Sequence, residues 1–386
     1  MKILMALEGD FPPDLRVENE IKSLIAAGNE VVMACYTLKG TDTAFDWNGC
    51  KIYKRKISSF VYKSSVGALR FPFYFSFWRK HIKSVIKSEK PDAIHIHDLP
   101  LARLGFEFKK KFGLKFTLDL HENWPAYLRV SSHANTFLGK LLSSNSQWER
   151  YEKKHCNNAD NVIVVIDEAK ERLINLGIPE NKVSIVANYP VLSDFDKVIP
   201  VVISEKYILF YAGGISKHRG LQYVVKSMPI LVKKYPSIEF WILGKGTYQQ
   251  TLEELAKELG VVDNVKFFGH VSYKTVLESL YRCTLALIPH VKSDHTDSTI
   301  PHKLFQYMYA GKPVISSNCA PLERIINSTG AGKTYIWDSP EDFAKKVIES
   351  IETLSTYNVE SVREQIHERY NWDFEAVKLN SIYKKL

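Results

Sequence analysis

The 386 residues are 45% hydrophobic and 25% charged, a balance that provides for two or three packed domains and excludes a disordered chain. The five cysteines, Cys35, Cys50, Cys156, Cys283 and Cys319, form no CxxC pair, which argues against a disulfide framework and a zinc site and suits reduced thiols in the cytoplasm. The net charge is +9, yet eleven of the 52 basic residues and one of the 43 acidic ones fall between 51 and 90, so the remainder is close to balanced.

The first apolar run, Ile3 to Leu7, is too short for a signal peptide and fits a first buried strand. No stretch reaches the roughly 18 apolar residues that a membrane span needs. Short β-rich runs then alternate with amphipathic segments. Strands are expected at 2–7, 30–36, 51–55, 93–97, 115–120, 161–166 and 183–187, with helices such as 16–27 and 101–111 between them. Several strands are continuous apolar runs, as a parallel sheet covered on both faces requires.

Residues 51–90 also carry FVY at 60–62 and FPFYFSFW at 71–78. Basic residues beside exposed aromatics suit an anionic membrane surface. Nucleic acid, or a solvated basic face over an aromatic core, would also fit. The membrane surface is the expected partner, peripherally on the inner face of the cell membrane, and no nucleic acid is expected.

The stretch 188–205 has two prolines and no helical period, which marks a linker. The alternation restarts beyond it, with strands expected at 207–212, 238–243, 265–268, 285–288, 313–316 and 333–337, and helices at 221–234, 249–259, 273–281, 302–310 and 341–354. The fold class is α/β: two doubly wound Rossmann-like domains facing a central cleft. Such sheets bind ligands beyond the carboxyl ends of their strands.

Five strand-end motifs follow. EGDFPPDLRVENE, residues 8–20, places Gly9, Asp14 and Arg16 after the first strand, as a substrate-facing loop or an ordinary turn. LDLHENWP, residues 118–125, ends a strand with Asp119, His121 and Glu122, where a histidine beside a glutamate suits orienting a hydroxyl or a proton. YAGGISKHRGLQYVV, residues 211–225, opens backbone amides at Gly213 and Gly214 and sets Lys217, His218 and Arg219 beside a helix start, which favours a diphosphate. ILGKGTYQQ, residues 242–250, presents Lys245 but lacks a third Rossmann glycine. The fifth, HTDSTIPHKLFQYMYAGKPVISSN, residues 295–318, is the most specific: Ser298 and Thr299 are expected to cap a helix beginning at Pro301, with His302 and Lys303 beside its amides. The only DxD, Asp194 to Asp196, lies in the linker, so no metal is expected.

These motifs together resemble glycosyltransferase family 4, the retaining family with the GT-B fold. FPPDLRVENEIKSLIAAGNEV, DLHENWP, YAGGISKHRGL and PHKLFQYMYAGKPVISS are similar to its opening helix, strand-end histidine segment, donor-phosphate loop and signature region, and YNWDFEAVKLNSIYKKL to its C-terminal helix. The resemblance implies an acceptor-binding domain over 1–190, completed by a helix at 371–386. It implies a linker over 191–205 and a nucleotide-sugar domain over 206–370. It implies a hexosyl transfer from a nucleotide-diphosphate sugar, UDP- or GDP-linked, to a glycan or lipid-linked acceptor in cell-surface polysaccharide synthesis, with no cofactor and no metal. Gly213, Gly214, Lys217, Arg219 and Lys245 would hold the phosphates, and His121 would lie near the transferred sugar, with Glu122 beside it. Ser298, Thr299, His302, Lys303 and Gln306 would complete the donor site, and Gly9, Asp14 and Arg16 the acceptor side. The family's two signature glutamates are replaced here by Ser298 and Gln306, which implies an altered grip on ribose and sugar. An epimerase of the same fold, or a donor-binding protein with degenerate catalysis, are the alternatives.

Overall fold

The computed structural model describes residues 1–130, 144–192 and 206–386. Most of the expected linker, with Asp194 and Asp196, lies outside the described residues. The chain divides into two compact units, Met1–Asn188 with Asp373–Leu386, and Tyr189–Trp372.

The first unit is built on an eight-stranded sheet. Its strands are β1 (Lys2–Ala6), β2 (Glu30–Thr37), β3 (Thr43–Trp47), β4 (Cys50–Lys56), β5 (Ala93–His97), β6 (Lys115–Leu120), β7 (Asn161–Val164) and β8 (Val183–Ile185), in the order β3-β4-β2-β1-β5-β6-β7-β8. All neighbours are parallel except β3 with β4. β3 is an addition to the expected set. Asn48 (φ 50°) and Gly49 (φ 82°) make the two-residue turn of a hairpin, whose positive φ angles match the twist of the strands. The helix Leu15–Ala26 buries Val17, Ile21 and Leu24. Phe73–Glu89, a helix not expected from the sequence, buries Tyr74, Phe75, Trp78, Ile82, Val85 and Ile86 at helical spacing. The C-terminal helix Trp372–Lys385 buries Leu379, Ile382 and Tyr383, and its Glu375 accepts a hydrogen bond from the Ala187 amide at 2.7 Å.

The second unit holds a six-stranded, all-parallel sheet of β9 (Ile208–Ala212), β10 (Glu239–Leu243), β11 (Val265–Gly269), β12 (Leu285–Ile288), β13 (Val314–Ser317) and β14 (Gly332–Tyr335), in the order β11-β10-β9-β12-β13-β14. Its core joins Leu209, Tyr211, Phe240, Ile242, Leu285 and Leu287 of the strands to Leu221, Val224, Val225 and Met228 of the helix Leu221–Lys234. Side chains buried this completely supply roughly 1.5–3 kcal/mol each from apolar burial, before conformational entropy is charged.

Candidate active site

Each sheet has one switch point, where the chain winds outward in both directions. In the second unit it lies between β9 and β12, so Ala212 to Gly214 and Pro289 to His290 mark its mouth. In the first it lies between β1 and β5, marked by Glu8, Gly9 and Asp98, with the end of β6 alongside.

At the second unit's switch point the loops are held close by glycine. Gly213 has φ +151°, and a Cβ there would stand 2.7 Å from Lys303 Nζ and 3.0 Å from the Tyr211 hydroxyl. The half-buried Lys303 uses that space: its Nζ donates to the Ala212 carbonyl at 2.7 Å and lies 4.4 Å over the Tyr211 ring. The turn Lys217–Arg219 ends at Gly220 (φ +74°), whose absent Cβ would overlap the Pro289 carbonyl oxygen at 1.6 Å. This brings the Arg219 guanidinium to 3.0 Å from His290 Nε2, and the Val291 amide donates to the His218 carbonyl at 3.0 Å. Lys245 follows β10, exposed, its carbonyl accepting from the Ile215 amide at 3.1 Å.

Burial and the nearby Arg219 charge set the electrostatics of this cluster. Burial, then the Arg219 charge, pushes Lys303 down to about 7. Burial, then Arg219 and Lys303, holds His290 well below its ordinary value. His218 and His295 are each pushed down to about 4 by burial and neighbouring cations. Holding a positive charge in this buried setting is costly, so a bound anion would favour the charged forms of Lys303 and Arg219.

The expected helix start is corrected. The helix is Lys303–Tyr309, seven residues preceded by His302, and no side chain caps it. Thr296–Ser298 forms a separate 3-10 turn in which Ser298 Oγ donates to the Asp294 carbonyl at 2.5 Å, and Thr299 is extended. The hydroxyls expected to cap the helix are thus Ser298, spent on its own turn, and Thr299, which lies before Pro301 in extended backbone. The positive groups gathered here are the Lys303 and Arg219 side chains rather than a capped helix end. Gln306 is half-buried on the short helix, as is His302 before it. Lys217 and Gly214 are exposed on the loop. His290 and His295 were not singled out in the sequence, although an IPH directly after an apolar strand places a histidine at a strand end.

In the first unit Arg16 is turned inward, which corrects its expected acceptor-side role, while Asp14 stays half-exposed as a helix cap. Asp14 accepts from the Val17 amide at 3.1 Å and caps the first helix. Arg16 is 4% exposed, and its guanidinium donates to both oxygens of Asp119 (2.9 and 3.1 Å), to the Val186 carbonyl at 2.9 Å and to Asn188 Oδ1 at 2.6 Å. Gly9 stays half-exposed, its carbonyl accepting from the Tyr36 amide at 3.1 Å. Glu8 beside it is pushed up to about 7 by burial.

His121 is gripped by carboxylates on both ring nitrogens. Its Nε2 donates to Asp119 Oδ2 at 3.1 Å, its Nδ1 lies 3.6 Å from Asp98 Oδ2, and its amide donates to Asp98 Oδ1 at 3.3 Å. Burial alone would lower its pKa, but Asp98 and Asp119 outweigh that and raise it to about 10. His121 is therefore an imidazolium at neutral pH, a fixed cation instead of a base. Asp98 pays for this grip with a strained backbone, φ +65° and ψ 157°, held by its amide donating to the Asp119 carbonyl at 2.7 Å. Glu122 is half-buried next to His121. Glu20, His95, His97 and Asp98 were not named from sequence, although HIHD at 95–98 places polar groups at alternate positions of an otherwise apolar strand.

Two family models match the chain in tandem: Glycosyltransferase Family 4 over residues 16–189 and Glycosyl transferases group 1 over 194–365. An uncharacterized glycosyltransferase of Methanocaldococcus jannaschii is 24% identical over 316 residues, 78% of this chain and 77% of the relative. Among solved structures, the sucrose-phosphate synthase of Thermosynechococcus elongatus superposes with TM-score 0.80 at 15% identity over 100% of this chain and 98% of its own. The Anabaena protein HepE in complex with UDP gives 0.73 at 12% identity over the full length of both chains. One family model over the first unit and its companion over nearly all of the second show that the chain belongs to the glycosyltransferases of the family 4 type, with the GT-B fold.

Proposed function

We propose that the chain is a retaining, metal-independent hexosyltransferase that takes a sugar from a nucleotide-diphosphate donor, UDP- or GDP-linked, and passes it to a glycan or lipid-linked acceptor in cell-surface polysaccharide synthesis. The observation that carries this reading is the cation cluster of Arg219, His218, His290 and Lys303 at the switch point of the second unit, where burial and mutual repulsion push the histidines and the lysine toward neutrality. A diphosphate offsets that repulsion when bound and gains the same cations as stabilisers of the leaving group when the sugar departs. Positive side chains in this role do the work a metal ion does elsewhere. The binding of UDP by the HepE homologue supports the choice of ligand class.

The basic, aromatic window supports peripheral contact with an anionic membrane from the cytoplasmic side. Phe60, Tyr62, Phe71 and Phe73 are exposed, and the rings of Phe60 and Phe73 meet at 5.4 Å between centroids. The rest of the aromatic run belongs to the core, as Tyr74, Phe75 and Trp78 do. Among the described residues no helix is long and apolar enough to cross a membrane. The deciding experiment is a thermal-shift panel of UDP, GDP and their sugars. A rise in Tm with one nucleotide family supports the proposal, since a ligand that binds the folded state stabilises it by mass action. A flat response to all of them at millimolar concentration overturns it.

A further inference from the structure

Behind His121 lies a chain of buried polar groups that a donor and an acceptor would not touch. Arg16 and Glu20 on the first helix, His95 and His97 on β5 and Asp119 on β6 are all 4% exposed or less. Arg16 Nε lies 3.0 Å from Glu20 Oε1, and His95 Nε2 lies 3.7 Å from Glu20 Oε2 and 3.6 Å from Asp119 Oδ2. His97 Nδ1 stands 3.3 Å from His121 Nε2. At the far end the Tyr383 hydroxyl of the C-terminal helix lies 2.5 Å from His95 Nδ1, the two rings stacked.

We infer that Glu20, His95, His97 and Tyr383 are positioning residues for His121, acting through Asp119, whose carboxylate they and Arg16 hold in the one orientation that grips the imidazolium. This rests on the proposed transfer reaction, in which His121 faces the transferred sugar. Asp119 Oδ2 takes Arg16 Nε at 3.2 Å, Arg16 Nη2 at 3.1 Å and His121 Nε2 at 3.1 Å, so a small rotation of the carboxylate would release His121. Glu20 stands beside this group, against Arg16 and His95. Burial and then the Asp119 charge raise its pKa well above the ordinary value, which favours the protonated form beside Asp119. Burial likewise keeps His95 and His97 neutral, so the inner network adds no charge to compete with His121. Glu20, His95, His97 and Asp119 also place ligand-type atoms within 4.8 Å of one another, the dimension of a small cation site. The Arg16 guanidinium already neutralises that space, and Asp119 Oδ2 already has three donors, so a proton on Glu20 fits better than a second cation.

The test compares Glu20→Gln, which keeps a donor toward Asp119, with Glu20→Ala, and adds Tyr383→Phe, which removes only the hydroxyl. Two readouts are taken: transfer kinetics, and the imidazole N–H signal of His121 by nitrogen-15 NMR, which needs no turnover. The expected result is a kcat lower by about tenfold to a hundredfold in Glu20→Ala with donor KM little changed, near wild-type kcat in Glu20→Gln, and a smaller loss in Tyr383→Phe. The His121 N–H signal should persist in the Gln variant and vanish in the Ala variant. Equal behaviour of the Gln and Ala variants in the NMR spectrum overturns the inference, as does stoichiometric zinc in the purified wild-type protein. If wild type shows no transfer with any donor, the proposed reaction fails while the NMR comparison still decides the network.

Discussion

Lys303 Nζ rests 4.4 Å above the centre of the Tyr211 ring and donates a hydrogen bond to the Ala212 carbonyl at 2.7 Å. The π face and the carbonyl dipole favour the ammonium, but burial, and then the Arg219 charge, outweigh them and bring its pKa down to about 7. Its folded value is depressed below the ordinary 10.5, so at pH below about 7 the folded state carries a cost for charging it. That cost fades as pH rises toward 10.5. A diphosphate beside it reverses the sign, because an opposite charge favours the ammonium. Binding of UDP at about pH 8 should therefore take up a fraction of a proton per site, and at about pH 6 it should take up little. Calorimetric titrations in two buffers of different ionisation enthalpy measure this. In Lys303→Gln the uptake should disappear and affinity should drop by about tenfold or more. Uptake that survives the substitution would mean another group is the one responding.

Gly213 is the residue that lets Lys303 sit there. In Gly213→Ala the new methyl would stand 2.7 Å from Nζ, in a backbone conformation with φ +151° that alanine resists. The expected cost is about 1–3 kcal/mol of stability, together with weaker nucleotide binding. Because the methyl acts on Lys303, the two substitutions should be less than additive in binding. A double-mutant cycle with Lys303→Gln, read by titration with UDP, should give a coupling of about 0.5 kcal/mol or more. Strict additivity would separate the glycine from the lysine.

Much of the fold was legible in the sequence because parallel strands buried on both faces read as unbroken apolar runs. β12, LALI at 285–288, falls at the expected residues for this reason, while β5 and β6 fall there although each carries polar residues among its apolar ones. β3 was missed, though Asn48–Gly49 between two β-rich segments is a strong hairpin signal. In the helix Phe73–Glu89 a dense aromatic composition masks the three-to-four spacing of Tyr74, Trp78, Ile82, Val85 and Ile86. The helix start at Pro301 failed for a different reason. Nothing local reveals that Ser298 will spend its hydroxyl on the Asp294 carbonyl. The inward pairing of Arg16 is not legible locally because its partner Asp119 is 103 residues away, a pairing that no short motif encodes. The strand-end positions of His121 and Gly213 were legible, while the charge state of His121 depends on folded geometry and was not.

That charge state has a consequence for stability. His121 is raised from 6.5 to about 10 in the folded protein, so its grip contributes stability that is fully present below about pH 6.5 and is lost as pH rises through about 10. Comparing wild type with His121→Gln isolates it. The difference in urea unfolding free energy between the two should shrink steadily from about pH 7 to about pH 10. Asp98→Asn should move the fading of that difference to lower pH, since one of the two raising charges is gone. Parallel curves for wild type and His121→Gln would show that His121 is not held as a cation.

The exposed aromatics of the basic window give the last expectation. Lys54 pairs with Asp10 at 2.6 Å, Arg79 with Glu107 at 2.7 Å, and Lys51 with Glu89 at 2.8 Å, so these bases are partly spent within the first unit. The surface left for a membrane is the aromatic group Phe60, Phe71 and Phe73, with Lys56, Lys63 and Arg70 near it in the sequence. Burying such rings at an interface contributes apolar transfer energy that basic residues alone do not supply, and the two effects act together on anionic lipid. Replacing the three phenylalanines with serine should cut co-sedimentation with phosphatidylglycerol vesicles by about tenfold or more while Tm moves by only about 2–4 °C, because the rings are on the outside. Raising salt should weaken the wild-type protein's binding through screening of the bases but leave a residue of binding owed to the rings. Unchanged sedimentation of the triple variant would remove the aromatic surface from the account and leave the excess charge of residues 51–90 as a solvated face.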